Sequence, residues 1–352
     1  MINEALLTLI VVRNLPFAIV EWPEFHTLCQ ALNSQSEGVI TTAHSTITNK
    51  LKGCWTNHKD VVRRDLQSAI SNIHISLDIW TSPNHHLLLA ICAHYTTHLL
   101  KRQKALLALC TVAGHSGQNQ FNVLLPVLQD YGVIRKLGAI VADNASPNNT
   151  LCEIIEDHML LEEAREWRAK HWRIRCIGHI INLAVQAFLF ADMMDIEELE
   201  SYDKKEQQGD TRDKEARRIK FRLMGPLGQM HNIVIHIRGS TSRIVEFLEL
   251  ASRLIPLDNR TRWNSWDLML AVALELRPAI EKYCQNHESE LQDDELTPED
   301  WRRLRAIQDF LEPFQTATLY TEGDCAAIDR VLFTMDVLIK HFKLSLVSKI
   351  SF

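Results

Sequence analysis

The sequence predicts an α/β domain, built on a mixed sheet of three antiparallel and two parallel strands with flanking helices, followed by an all-α region. Three observations carry this. Apolar residues alternate with His74, Ser76 and Asp78 from Ile73 to Ile79, the period of a strand with one buried face. Two more β-rich runs follow after short turns, His85 to His98 and Gln103 to His115. From Phe221 onward the apolar spacing turns helical almost throughout.

Each element follows in order. Residues 1–70 read as helical, with Pro16 in a loop, an amphipathic helix after Pro23, and Ser and Thr N-cap candidates in "TTAHSTITNKL". The three strands, separated by turns at Pro83-Asn84 and around Leu100, predict an antiparallel meander. Phe121, Leu124, Leu125 and Leu128 predict a helix over Gln118 to Tyr131. "LGAIVADNAS" is a short apolar run ending in Asp143 and predicts a buried fourth strand, with a helix from Pro147 to about Glu166. "HWRIRCIGH" predicts a fifth strand over His171 to His179, and "INLAVQAFLF" a helix. Residues 192–220 are charged and poor in large apolar groups, which predicts a linker. The expected organisation is a helical segment 1–70, a sheet domain 71–191, a linker 192–220 and an incomplete all-α domain 221–352.

Composition excludes several classes. With 352 residues, 46% hydrophobic and 23% charged, the chain suits two or three globular domains. No apolar run reaches membrane-spanning length, and Leu6 to Val12 lacks the flanks of a signal peptide, so no membrane partner is expected. Eight cysteines form no Cys-x-x-Cys pair, which fits a reducing, intracellular protein and excludes a zinc finger of the usual kind. The net charge of −6 gives no global argument for nucleic acid. Locally, Arg165 to Arg175, Glu215 to Arg222 and Trp301 to Arg305 are basic, while 192–200 and 288–300 are acidic. A basic stripe can bind phosphate, because screening limits distant charges to about 10 Å; the same stripes can equally be solvated helix faces.

Three antiparallel strands followed by alternating helices and strands is the chain order of the ribonuclease H-like fold. That order puts Asp78 on the first strand and Asp143 at the end of the fourth, neighbours at the sheet centre. A carboxylate inside an apolar run is costly unless paired. Two carboxylates that meet would repel unless a proton or a cation intervenes. Mg²⁺ or Mn²⁺ fits oxygen ligands of this kind, so Asp78 is expected to lie buried beside metal. Against this, a strand-end Asp often bonds only loop amides, and Asp143 could simply cap the helix after Pro147.

Six stretches in order resemble a known family. They are "LPFAIVEWPEF", "SLDIWTSPNHHLLLAICAHY", "GHSGQN", "VADNASPNNT", "RCIGHIINLAVQ" and "TRWNSW". Together they resemble the hAT superfamily of transposases, of the fungal and plant type, over roughly Leu15 to Cys284. The resemblance implies that Asp78 and Asp143 are the first two catalytic, metal-binding members of an Asp-Asp-Glu triad. It implies that Cys176 and His179 form the Cys-x-x-His pair that helps hold DNA, and that Arg262 and Trp263 form a pair whose aromatic stacks on DNA. Stacking of that kind is worth about 1–3 kcal/mol per base. Trp266 is the preferred core tryptophan.

The sequence departs from the family in two respects. No upstream BED-type zinc finger precedes it, and neither the third carboxylate in its usual context nor the dimerisation region follows. Glu312 and Glu322 lack that context. The expectation is a truncated, transposase-derived nuclear protein. Its ancestral activity is metal-dependent cleavage and transfer of double-stranded DNA at transposon ends, weak or absent in this chain, and its full-length relatives form homo-oligomers. The competing reading is a non-catalytic DNA-binding or interaction protein from a decayed element. A third is a ribonuclease H-like nuclease acting on RNA.

Overall fold

The structure is a computed structural model and describes residues 2–36, 38–190, 211–258, 263–321 and 328–347. It divides into two compact units, Met1–Ile174 and Arg175–Phe352.

In the first unit, helices α1 (Ile2–Val12), α2 (Pro23–Leu32) and α3 (His44–Ser68) precede the sheet. Pro23 opens α2 at a position where a missing N–H costs nothing. Leu6, Leu7, Ile10, Ile19, Val20 and Ile47 close a small core of their own. Val62 and Leu66, near the end of α3, belong instead to the core of the sheet.

The sheet holds β1 (Ile73–Thr81), β2 (Leu87–Thr96), β3 (Arg102–Thr111), β4 (Leu137–Ala142) and β5 (Arg173–Arg175), in the spatial order β3-β2-β1-β4-β5. The meander β1-β2-β3 is antiparallel, and β4 runs parallel to β1. Odd-numbered Ile73, Ile75 and Leu77 are buried beside Leu89, Ile91, Ala93 and Tyr95 of β2, because β side chains alternate between faces. Helices α4 (Gly117–Asp130) and α5 (Pro147–Leu161) supply Leu124, Leu128, Leu151 and Ile155 to the same core. Ser116 caps α4 by accepting from the Asn119 amide at 3.2 Å. A Cβ on Gly117 would stand 2.5 Å from the Leu151 nitrogen and 2.6 Å from the Pro147 carbonyl, so the glycine lets α4 start against the start of α5. A short helix α6 (Ala169–Trp172) leads into β5.

The second unit is helical: α7 (Ile177–Leu189), α8 (Thr211–Arg222), α9 (Pro226–Arg238), α10 (Thr241–Leu250), α11 (Trp263–Glu275), α12 (Arg277–Asn286), α13 (Glu288–Leu291), α14 (Pro298–Thr321) and α15 (Ile328–Val347). Its core runs from Ile181 and Val185 of α7 through Trp263, Trp266, Phe314 and Leu338. A sheet domain ending at 191 was expected, but α7 packs with the helices after it, because its apolar stripe Ile181, Val185 and Leu189 matches their core. The expected linker 192–220 falls partly outside the described residues, and its last part, from Thr211, is helix.

Candidate functional site

The geometry begins at the seam between β1 and β4. Ile73 pairs with Leu137, but Ile75 pairs with Ile140 and Ser76 with Val141, so β4 carries one extra residue. The buried Ala139 amide freed by that bulge donates to Nδ1 of His74 at 3.0 Å. Burial pushes the His74 imidazole below its ordinary pKa, which favours the neutral acceptor that this bond needs. After the bulge the offset holds, and two residues beyond the last pair stand Asp78 and Asp143. Continued two residues past its last pair, that register would set Asp143, the first residue after β4, level with Asp78.

Asp78 is exposed, not buried as expected. It shares the even-numbered face with His74 and Ser76, and that face is not covered as the core face is. Burial raises the thiol of Cys92, Lys104 opposes that, and the Asp78 charge adds to it. The Asp78 carboxylate accepts no hydrogen bond among the described residues.

Asp143 is the first residue past β4 and is half-buried. Its Oδ1 accepts from the Ala145 amide at 3.0 Å and from Nδ2 of buried Asn148 at 2.6 Å. The bland role of steadying the turn into α5 is thus real. It occupies one oxygen, and among the described residues Oδ2 accepts no hydrogen bond. Arg173 of β5 steadies the same turn. Its guanidinium donates to the Asp143 carbonyl at 3.2 Å, the Ala145 carbonyl at 3.5 Å and the Asn149 side chain.

Asn148, Asn149 and Arg173 were not singled out from the sequence. The "DNASPNN" spacing held the signal, since an Asn at i+5 across a Pro-started helix can reach back to the Asp. Asp78 on β1 and Asp143 just past β4 are carboxylates, the oxygen ligand type that hard divalent cations take.

The other expected site residues lie in the second unit or outside the described residues. Cys176 is the N-cap residue of α7 and His179 lies in its first turn, both half-buried. The predicted fifth strand over His171 to His179 is only three residues long, and the Cys-x-x-His pair sits on a helix start. A helix N-terminus leaves amide N–H groups unpaired and favours anions. Arg262 lies outside the described residues, as does Glu322. Trp263 is 2% exposed and opens α11, its amide donating to Oδ1 of Asn182 at 3.0 Å. Its ring belongs to the helical core with Trp266.

Some residues of the basic stretches bond within the protein, while Arg168, Lys170, Arg175, Arg302, Arg303 and Arg305 stay exposed. Trp167 is buried and donates to the Gly138 carbonyl at 2.8 Å, and Arg165 donates to the Arg135 carbonyl. Arg218 and Arg222 converge on Asp294, whose side chain is fully buried, at 2.7 and 2.9 Å. Burial alone would raise the Asp294 carboxyl. Hydrogen bonds from Arg222, Asn232 and Arg218 outweigh it and hold the group below its usual range.

Comparison with known proteins agrees with this architecture. Residues 76–168 match the ZBED1 RNase-like domain family and residues 174–310 the ZBED1 RNase-like helical domain family. The chain is 28% identical over 321 residues, 90% of its length, to a candidate transcriptional regulator, tpeD, of Talaromyces stipitatus. It is 22% identical over 345 residues to a candidate AC transposase of Zea mays, and 20% identical over 313 residues to the zinc finger BED domain-containing protein RICESLEEPER 2 of Oryza sativa subsp. japonica. These alignments cover 92% and 86% of the chain. The chain spans only 37–38% of the length of these three relatives. The chain thus resembles hAT-like, transposase-related proteins, with an RNase-like domain followed by a helical domain.

Proposed function

We propose that the chain derives from a nuclear hAT-type DNA transposase and acts on the ends of double-stranded elements. The observation that supports this reading is the parallel pairing of β1 with β4, which ends at Ser76 and Val141, two residues short of Asp78 and Asp143. Asp78 would hold Mg²⁺ or Mn²⁺ from the open face of the sheet, and Asp143 through the oxygen its turn leaves free. Such an ion supplies a lowered pKa for an attacking water and charge stabilisation for a leaving oxygen. Asn148 and Arg173 orient the Asp143 turn, and the start of α7 with Cys176 and His179 contributes to DNA contact. Two carboxylates hold an ion loosely, and loose placement lowers rate steeply.

A second reading has its own support. The relative tpeD is a candidate transcriptional regulator, so a DNA-binding role without cleavage is consistent with the same residues. A Mn²⁺-dependent nicking assay on duplexes carrying the element's terminal sequence separates the two. Nicking that disappears in Asp78→Ala and Asp143→Ala supports the transposase reading. Intact DNA under saturating binding leaves the regulator, and absence of any duplex binding defeats both.

A further inference from the structure

Four helical elements of the second unit bring a set of nitrogen and oxygen donors together away from the two aspartates. His236 lies in the last turn of α9, Glu246 on α10, His287 just after α12 and Glu290 on α13. One ligand atom from each of His236, His287 and Glu290 lies within 4.8 Å of the others. Nε2 of His236 is 2.7 Å from Oε2 of Glu290, and Nδ1 of His287 is 3.8 Å from Oε1 of the same carboxylate.

The outward-facing nitrogens are also engaged. Nδ1 of His236 is 3.0 Å from the Tyr283 hydroxyl, and Nε2 of His287 is 2.9 Å from Oε2 of Glu246. Such partners on the far nitrogen hold imidazole ligands in tautomer and orientation. Each ring therefore has one nitrogen anchored from behind and the other turned toward Glu290.

We infer that His236 Nε2, His287 Nδ1 and the Glu290 carboxylate form a zinc site, with Tyr283 and Glu246 as the groups that orient the two imidazoles. Two histidines and one carboxylate match the three-ligand sets that Zn²⁺ accepts, with a fourth position open to water. Tetrahedral zinc with bonds of about 2.0–2.1 Å sets its ligand atoms about 3.3–3.5 Å apart. The ligand atoms now lie within 4.8 Å of one another, so zinc binding would draw the three side chains together. Zinc at Nε2 requires the neutral tautomer that carries its one proton on Nδ1, and in that tautomer His236 donates from Nδ1 to the Tyr283 oxygen.

Arg243 is the built-in competitor. Its Nη2 lies 2.5 Å from Oε2 of Glu290, and a guanidinium and a zinc ion cannot share that oxygen without repulsion. This gives the site opposite responses to two kinds of substitution. Purified full chain, stripped with a chelator, is titrated with Zn²⁺ against a chromophoric chelator. One equivalent is expected to bind. His287→Ala or Glu290→Gln should weaken it at least tenfold, Glu246→Gln about 10–100-fold, and Arg243→Gln should strengthen it. Melting curves in chelator show whether each variant remains folded, and Zn²⁺ should raise the melting temperature of wild type but not of His287→Ala. Failure to bind an equivalent, or binding that His287→Ala and Glu290→Gln leave unchanged, overturns the inference. Either result leaves the reading of Asp78 and Asp143 untouched, since those residues lie in the other unit.

Discussion

At the scale of single residues, one histidine sets the register on which the site depends. His74 satisfies the Ala139 amide at the bulge, and the bulge shifts the register by one residue, so that its continuation past Ser76 and Val141 would bring Asp143, rather than Ala142, level with Asp78. His74→Ala leaves a buried N–H without a partner and should cost about 1–3 kcal/mol, measured by urea unfolding. The folded pKa of His74 is lowered, so the unfolded chain binds more protons between that value and the ordinary 6.5. The His74 contribution is therefore complete above about pH 6.5 and is lost as pH falls through the folded value. The variant should lack that portion of the pH dependence. The bulge was not legible in the sequence, because an extra residue in an all-apolar run such as "LGAIVA" leaves no break in pattern. The face of Asp78 was legible: it shares parity with His74 and Ser76, and that alternation points away from burial. The apolar neighbours Leu77 and Ile79 masked the signal.

At the scale of elements, α11 and α14 pack with Asp267 almost fully buried, and Glu312 adds a like charge. Burial, then Glu312, raise the Asp267 carboxyl to about 6. The native state binds more protons than the unfolded chain between the ordinary carboxylate value and about 6, so stability falls as pH rises through that window. A shift of this size corresponds to about 3 kcal/mol. Asp267→Asn should recover up to that amount at pH 8 and change little at pH 4, measured by denaturant midpoints at both pH values. Strand and helix periods in the sequence located the meander, α4, β4 and α5 within a few residues. The Cys176–His179 stretch was misread as strand because "WRIRC" alternates. Its helix starts at Ile177, where the apolar stripe that continues to Leu189 takes over.

At the scale of the whole molecule, the sequence shows a net charge of −6 with separate basic and acidic blocks, which left phosphate binding open. The structure folds one basic block onto an acidic one: Arg218 and Arg222 meet Asp294. Arg218→Ala or Arg222→Ala should therefore lower thermal stability while leaving duplex affinity at matched salt unchanged. Each leaves the fully buried Asp294 short of a partner, a loss on the order of 3 kcal/mol. Melting curves and mobility shifts on the same preparations check both halves. The account as a whole rests on Asp78 and Asp143 acting as one ligand set, and Mn²⁺ binding followed by electron paramagnetic resonance tests that most directly. If the two carboxylates share an ion, Asp78→Ala, Asp143→Ala and the double variant weaken Mn²⁺ binding by nearly the same factor, the mark of coupled sites. Binding that survives both single substitutions, or losses that simply add in the double variant, would contradict the account.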